Sequence, residues 1–195
     1  MDTTLLLDRE KDRFENIIRQ LKVLRSELNQ DQLSWKPNPK RWSIIECVEH
    51  INTACRHYIP EIKKQVEKGS SKPFARDFKP GLLGNYLAKM MEPKPDGFIP
   101  GKMKTLKKFE PRNAKSKSTL DPKKVFDECI EHHKRFLDLI ERSRHLDINK
   151  VRVVSAIGPI IRFKLGDCFR FNTAHHLRHL LQADNVKNDP RFPNS

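Results

Sequence analysis

The stretch that decides the fold is residues 43–62, SIIECVEHINTACRHYIPEI. It opens as S-x-x-E, a capping box in which Ser43 and Glu46 satisfy amides left exposed at a helix start. Beyond the box, Cys47, Ile51, Ala54, Tyr58 and Ile62 recur at three- and four-residue spacings, which is one apolar stripe of a helix running to about Lys68. His50 stands three residues after Cys47 and four before Ala54 and so lies at the inner edge of that helix.

Upstream, LSWKPNPKRW over residues 33–42 carries two prolines and two tryptophans and cannot continue the helix before it, because proline lacks the backbone donor and restrains the residue before it. The spacing before it predicts a first amphipathic helix over residues 5–28, with Leu7, Phe14, Ile17, Ile18, Leu21, Val23, Leu24 and Leu28 on its apolar side. Downstream of Gly69 the periodicity fades through GSSKP, EPKPDGFIPG and FEPRN, with one short helix expected over residues 82–91. A third long helix begins at Pro122, with Asp121 as N-cap, and runs to Arg142 over Val125, Phe126, Cys129, Ile130, Phe136, Leu137 and Ile140. VRVVSAIGPIIRFKLG, residues 151–166, is β-branched and broken by glycine, and reads as an extended or hairpin-like crossover. The last helix starts near residues 165–167, reaches about Asp184 and offers Phe169, Thr173, Leu177, Leu180 and Leu181 to the core. Four long helices and one long connection describe an all-α four-helix bundle, expected as a single domain over residues 1–195 with residues 69–121 as a loop-rich insertion between helices two and three.

The 195 residues are 36% hydrophobic and 33% charged, with 39 basic against 25 acidic side chains and a net charge of +14. No run approaches the roughly 20 apolar residues of a membrane span. The N-terminus lacks a signal peptide's apolar stretch and cleavage site, so a cytoplasmic protein is expected. Cys47, Cys55, Cys129 and Cys168 contain no CxxC pair, which argues against a zinc ribbon or a disulfide scaffold and for reduced, mostly buried thiols. Ten basic and three acidic residues between Lys94 and Lys124 place a net +7, half of the total, in one connection.

Of eight histidines, three cluster in AHHLRH, residues 174–179. His175 and His179 are four apart and share a helix face, close enough to bind one ion, while His176 and His179, three apart, could do the same. A helical pair of this kind needs a third ligand from another element, and His50 is the best-placed candidate. The competing reading is a solvated His-rich helix end and a hydrogen-bonded His50. His57, His132, His133 and His145 have no partner at ligand spacing on their own helices and read as surface or groove side chains.

LSWKPNPKRWSIIECVEHI and, far downstream, IGPIIRFKLGDCFRFNTAHHLRHLLQ together resemble the DinB-like family of metalloproteins, which includes thiol-dependent S-transferases. The resemblance rests on the Trp42-Ser43 approach to helix two with Glu46 and His50, the Gly158 crossover and the HHxxH-Leu-Leu-Gln end of helix four. It implies a bundle of up-down-down-up connectivity and a mononuclear site of one helix-two and two helix-four histidines, which map to His50, His175 and His179. The doubled His175-His176 leaves the upper ligand ambiguous, and the i+4 spacing favours His175. The basic insertion is longer than the family pattern requires.

Three neutral imidazoles around Zn2+, Ni2+ or another divalent ion leave a position open, which is the catalytic rather than the structural arrangement. A bound thiol would be held there as thiolate for transfer, and a bound water as hydroxide for hydrolysis. The expectation is therefore a metal-dependent transferase or hydrolase acting on a small-molecule substrate, with a low-molecular-weight thiol as cosubstrate and, as the family implies, a homodimer. Glu46 is a cap first and a base second, and Gln182 and Asn172 are candidates to orient the ligands. The alternative is a non-catalytic interaction or nucleic-acid-associated module using its basic surface, for which no helix-turn-helix, RRM or zinc-finger motif is present.

Overall fold

The computed structural model describes residues 1–69, 74–94, 105–111 and 120–194. Helix α1 spans Thr3–Glu27 and is capped by Asp2, whose side chain accepts from the amides of Thr4 and Leu5. Its inward stripe buries Leu6, Leu7, Phe14, Ile17, Leu21 and Leu24. Val23, expected on the apolar side, is exposed because it sits one residue off that stripe. A short helix α2, Gln30–Ser34, follows with a capping box of its own between Asn29 and Gln32.

Helix α3, Ile44–Lys68, begins where the capping box placed it. The Glu46 carboxylate accepts from the Ser43 amide at 2.9 Å and pairs with Lys36 at 2.6 Å. Cys47, Ile51, Ala54, Tyr58 and Ile62 are all buried. Helix α4, Leu82–Met91, lies within the long connection. It packs on the last helix at Gly84, where a Cβ would come within 2.8 Å of Asp167, so a side chain there would push the two helices apart. Asp167 in turn accepts from the Gly81 amide at 2.7 Å, which ties the start of α4 to the last helix.

Helix α5, Pro122–Ser143, is capped by Asp121 with proline in its first turn. An antiparallel pair, β1 (Arg152–Ser155) and β2 (Gly158–Lys164), then leads into α6, Leu165–Lys187. Val153 pairs with Phe163 and both are buried, while Arg152 opposite Lys164 and Val154 opposite Arg162 occupy the other face. Strand alternation is the reason, since neighbours along a strand point to opposite sides. The architecture is thus mostly helical with one small hairpin, so a strictly all-α description omits the pair that the β-branched run 151–164 makes.

Helices α1 and α3 each pack on both α5 and α6, which sets the four long helices in a ring α1–α5–α3–α6. One core of large side chains fills that ring, among them Phe14, Phe126, Phe136, Phe169 and Tyr58. All four cysteines are free and buried. Most of the basic connection, residues 95–104 and 112–119, lies outside the described residues.

Candidate metal centre

His50 projects from the second turn of α3, and His175 and His179 from successive turns of α6. The two helices pack against each other, and all three rings meet. His50 Nε2 stands 3.2 Å from His175 Nε2. One ring nitrogen from each of the three residues lies within 4.8 Å of the others. Ring centroids are 5.1 Å apart for His50 and His175, 4.3 Å for His50 and His179, and 4.6 Å for His175 and His179.

The outer nitrogens settle the tautomers. His50 Nδ1 donates to the carbonyl of Phe109 at 2.6 Å, so its Nε2 carries a lone pair. His179 Nδ1 faces the Gln182 side-chain oxygen at 3.1 Å, which likewise leaves Nε2 as the free acceptor. His175 Nδ1 is buried and, among the described residues, lacks a hydrogen-bond partner. With its proton on Nδ1, His175 aims a second lone pair at that of His50; with the proton on Nε2, it strands a buried acceptor. Either state is costly without a cation between the rings. The donor set fits a divalent ion, since zinc bonded to imidazoles at about 2.0 Å in a tetrahedron sets its ligand nitrogens about 3.3 Å apart.

Burial keeps the rings neutral. Desolvation pulls His50 down to about 4 against the opposing hydrogen bond to Phe109, and holds His175 and His179 well below the usual histidine range. Neutral imidazole is the form that binds metal. The indole of Trp42 roofs the cluster, with its ring centroid 4.9 Å from His50 and 5.8 Å from His179.

His176, the alternative upper histidine, points elsewhere. His133 Nδ1 bonds the Cys129 carbonyl at 2.7 Å and so donates, which makes its Nε2 the acceptor for His176 Nδ1 at 3.1 Å. His176 Nε2 then faces Cys55 Sγ at 3.7 Å. The chain Cys55–His176–His133–Cys129 therefore runs with one polarity through the core, and burial raises the Cys55 pKa so that it remains a thiol. His132 and His133, read above as surface or groove side chains, are both buried. They fall three and four residues after Cys129, on the apolar stripe of α5, where His133 finds its partner in His176 and His132 lies 3.3 Å from the Glu128 carboxylate. His57 and His145 are exposed as expected.

Of the other residues considered, Gln182 does orient His179, whereas Asn172 donates to the Cys168 carbonyl at 2.8 Å and turns away from the centre. Glu46 is occupied by the helix cap and Lys36. Sequence reading used Trp42 only as part of the family resemblance, without placing it at the centre, and missed Phe109. Phe109 belongs to a 3-10 turn, Lys107–Phe109, inside the basic connection, and contributes its carbonyl, a group that every residue has.

A family model described as the DinB superfamily matches residues 7–183. The chain belongs to the DinB superfamily. The match takes in all three histidines as well as Trp42 and Phe109. DinB-superfamily members bind divalent metals, and this one carries a three-histidine group. No curated protein and no solved structure gives a significant match. Among the described residues of this DinB-superfamily chain, no helix is long and apolar enough to cross a membrane.

Proposed function

We propose that this protein is a mononuclear metal-dependent enzyme whose ion, zinc or nickel, is held by His50, His175 and His179, and that it acts as a thiol S-transferase or a hydrolase. The observation that carries the reading is the pair of Nε2 atoms 3.2 Å apart, with His175 Nδ1 left without a partner among the described residues. That arrangement is unfavourable for three neutral imidazoles alone and favourable around a cation.

A bound divalent ion would supply Lewis acidity at the position three imidazoles leave open, lowering the pKa of a thiol or water there. The protein's own groups do the rest. Phe109 and Gln182 hold His50 and His179 in the tautomers that present Nε2, which is the orienting role outer partners play at metal sites. Trp42 keeps water from one side and gives a bound organic group an aromatic face. Glu46, spent on the helix cap, is not the base.

Several further features of this reading rest on the sequence. The up-down-down-up connectivity of the helical ring, a low-molecular-weight thiol and a homodimer come from the family resemblance; the single domain with residues 69–121 inserted comes from the helix pattern, the small-molecule substrate from the open metal position, and the cytoplasmic setting from the N-terminal sequence.

Metal analysis of the purified chain, followed by zinc and nickel titration of the stripped protein, tests the assignment. One ion per chain is expected. His50→Ala and His179→Ala should each weaken binding by more than the roughly 100-fold seen for loss of an outer partner, while His176→Asn keeps it. Full-strength binding in His50→Ala, or no binding in the folded wild type, would reject the site.

A further inference from the structure

A groove of about 540 Å3 runs between the exposed side of α3 and the hairpin, with His57, Glu61, Lys64, Arg152, Val154 and Arg162 among its walls. That volume suits a small-molecule ligand. Three cationic side chains against one carboxylate leave two positive charges at neutral pH. Among the described residues, no carboxylate is within ion-pair distance of Lys64, Arg152 or Arg162. The Arg152 guanidinium bonds the Asn149 carbonyl, and Glu61 accepts from Gln65 at 2.9 Å.

The hairpin makes this concentration of charge more pointed. Arg152 and Arg162 share one face of the ladder across the strand pair, while Lys164, opposite Arg152, turns its ammonium to the Lys79 carbonyl at 2.6 Å. Like charges opposed across a strand pair are destabilising. A fold that keeps them there, beside a lysine on the facing helix, has an electrostatic site to fill.

We propose that this groove binds the phosphate group of a small phosphorylated molecule. A phosphate monoester carries about −1.5 to −2 at pH 7, which matches the two uncompensated positive charges, and its oxygens suit the guanidinium fork. A single carboxylate would neutralise only half of that charge. The groove also lies along the stripe that carries His50, because His57 and Lys64 follow it at seven-residue intervals, each about 10 Å further along α3. Phe109 touches both ends of the first interval, through its carbonyl to His50 and its ring to His57, whose centroids are 6.2 Å apart. A ligand anchored here by its phosphate presents its other end toward the imidazoles. That orientation rests on the metal-site reading; phosphate binding itself does not.

The test is titration of the metal-stripped full chain with inorganic phosphate and, separately, with acetate and with a short single-stranded DNA, followed by NMR of the backbone and arginine side chains. Phosphate should saturate one site and shift signals of residues 57–65 and 152–164. Acetate should bind at least about tenfold more weakly, and the double variant Arg152→Gln/Arg162→Gln should lose at least about tenfold in phosphate affinity. Lys134→Gln, on an exposed turn of α5, should leave affinity unchanged. His50→Ala should lose metal and keep phosphate, which separates failure of the metal site from failure of the groove. Equal phosphate binding in the double variant, shifts elsewhere on the surface, or DNA binding without saturable phosphate binding would each overturn the proposal.

Discussion

Acidification of the metal-stripped protein should reveal the buried imidazole chain, and His133 allows the effect to be worked through. In the folded state, desolvation lowers its pKa from 6.5 to about 4, with the neighbouring His132 adding to the lowering and the Cys129 carbonyl opposing it. A base with a depressed folded pKa takes up its proton on unfolding. Its contribution is therefore present above about pH 6.5 and is lost as pH falls from there toward 4. At pH 5 the unfolded chain has bound that proton and the folded chain has not, which costs about 2 kcal/mol relative to pH 7. His133→Phe keeps an aromatic ring beside Phe14 and Phe136 and removes the titrating group. At pH 7 this variant should be about 1–3 kcal/mol less stable than wild type, because the Nδ1 proton of His176 loses its acceptor. At pH 5 the deficit should shrink by about 2 kcal/mol, since His176 remains neutral in either folded protein and only the His133 proton differs. Urea denaturation of both proteins at a series of pH values between 7 and 5 measures the convergence. Parallel stability curves, with a deficit independent of pH, would refute the assigned proton positions and the burial of His133 as a neutral ring.

Two substitutions separate the residues that orient the centre from those that merely adjoin it. Gln182→Leu removes the acceptor of His179 Nδ1 and should weaken zinc affinity about 10–100-fold in chelator competition, with the circular dichroism spectrum unchanged. Glu46→Gln keeps a side-chain acceptor for the Ser43 amide and loses the charge pair with Lys36, so it should cost no more than about 1 kcal/mol by thermal melting and leave metal affinity intact.

Local chemistry made much of the fold legible. The Ser43–Glu46 box and the Asp121-Pro122 pair mark helix starts through hydrogen bonds made within a few residues, so α3 and α5 begin where those residues predict. The short helix over residues 82–91 has no side-chain cap and, like the crossover with its β-branched run, was legible from residue pattern alone. The candidate site was partly legible. An i,i+4 histidine pair on one helix is a property of helical geometry and needs no knowledge of the partner. Its junction with His50, 125 residues away in sequence, was proposed from His50's place at the inner edge of its helix, was strengthened by the family resemblance, and is realised by the packing of α3 on α6. His132 and His133 show the limit most plainly. Considered as histidines they looked solvated, whereas their register on α5 buries them and His133 finds its partner on α6.

The chain's own order of residues therefore determined where helices start, which faces are apolar and which imidazoles share a face, because each is governed by interactions within about two turns. Tertiary packing realised the meeting of His50 with His175, which the i+4 spacing already favoured, and alone decided that His176 meets His133 and that Trp42 and the Phe109 carbonyl close over the centre. Two neighbouring residues on a helix point about 100° apart, so helical geometry tells that they must face different surroundings but not which surroundings those are; only the neighbouring helices supply them.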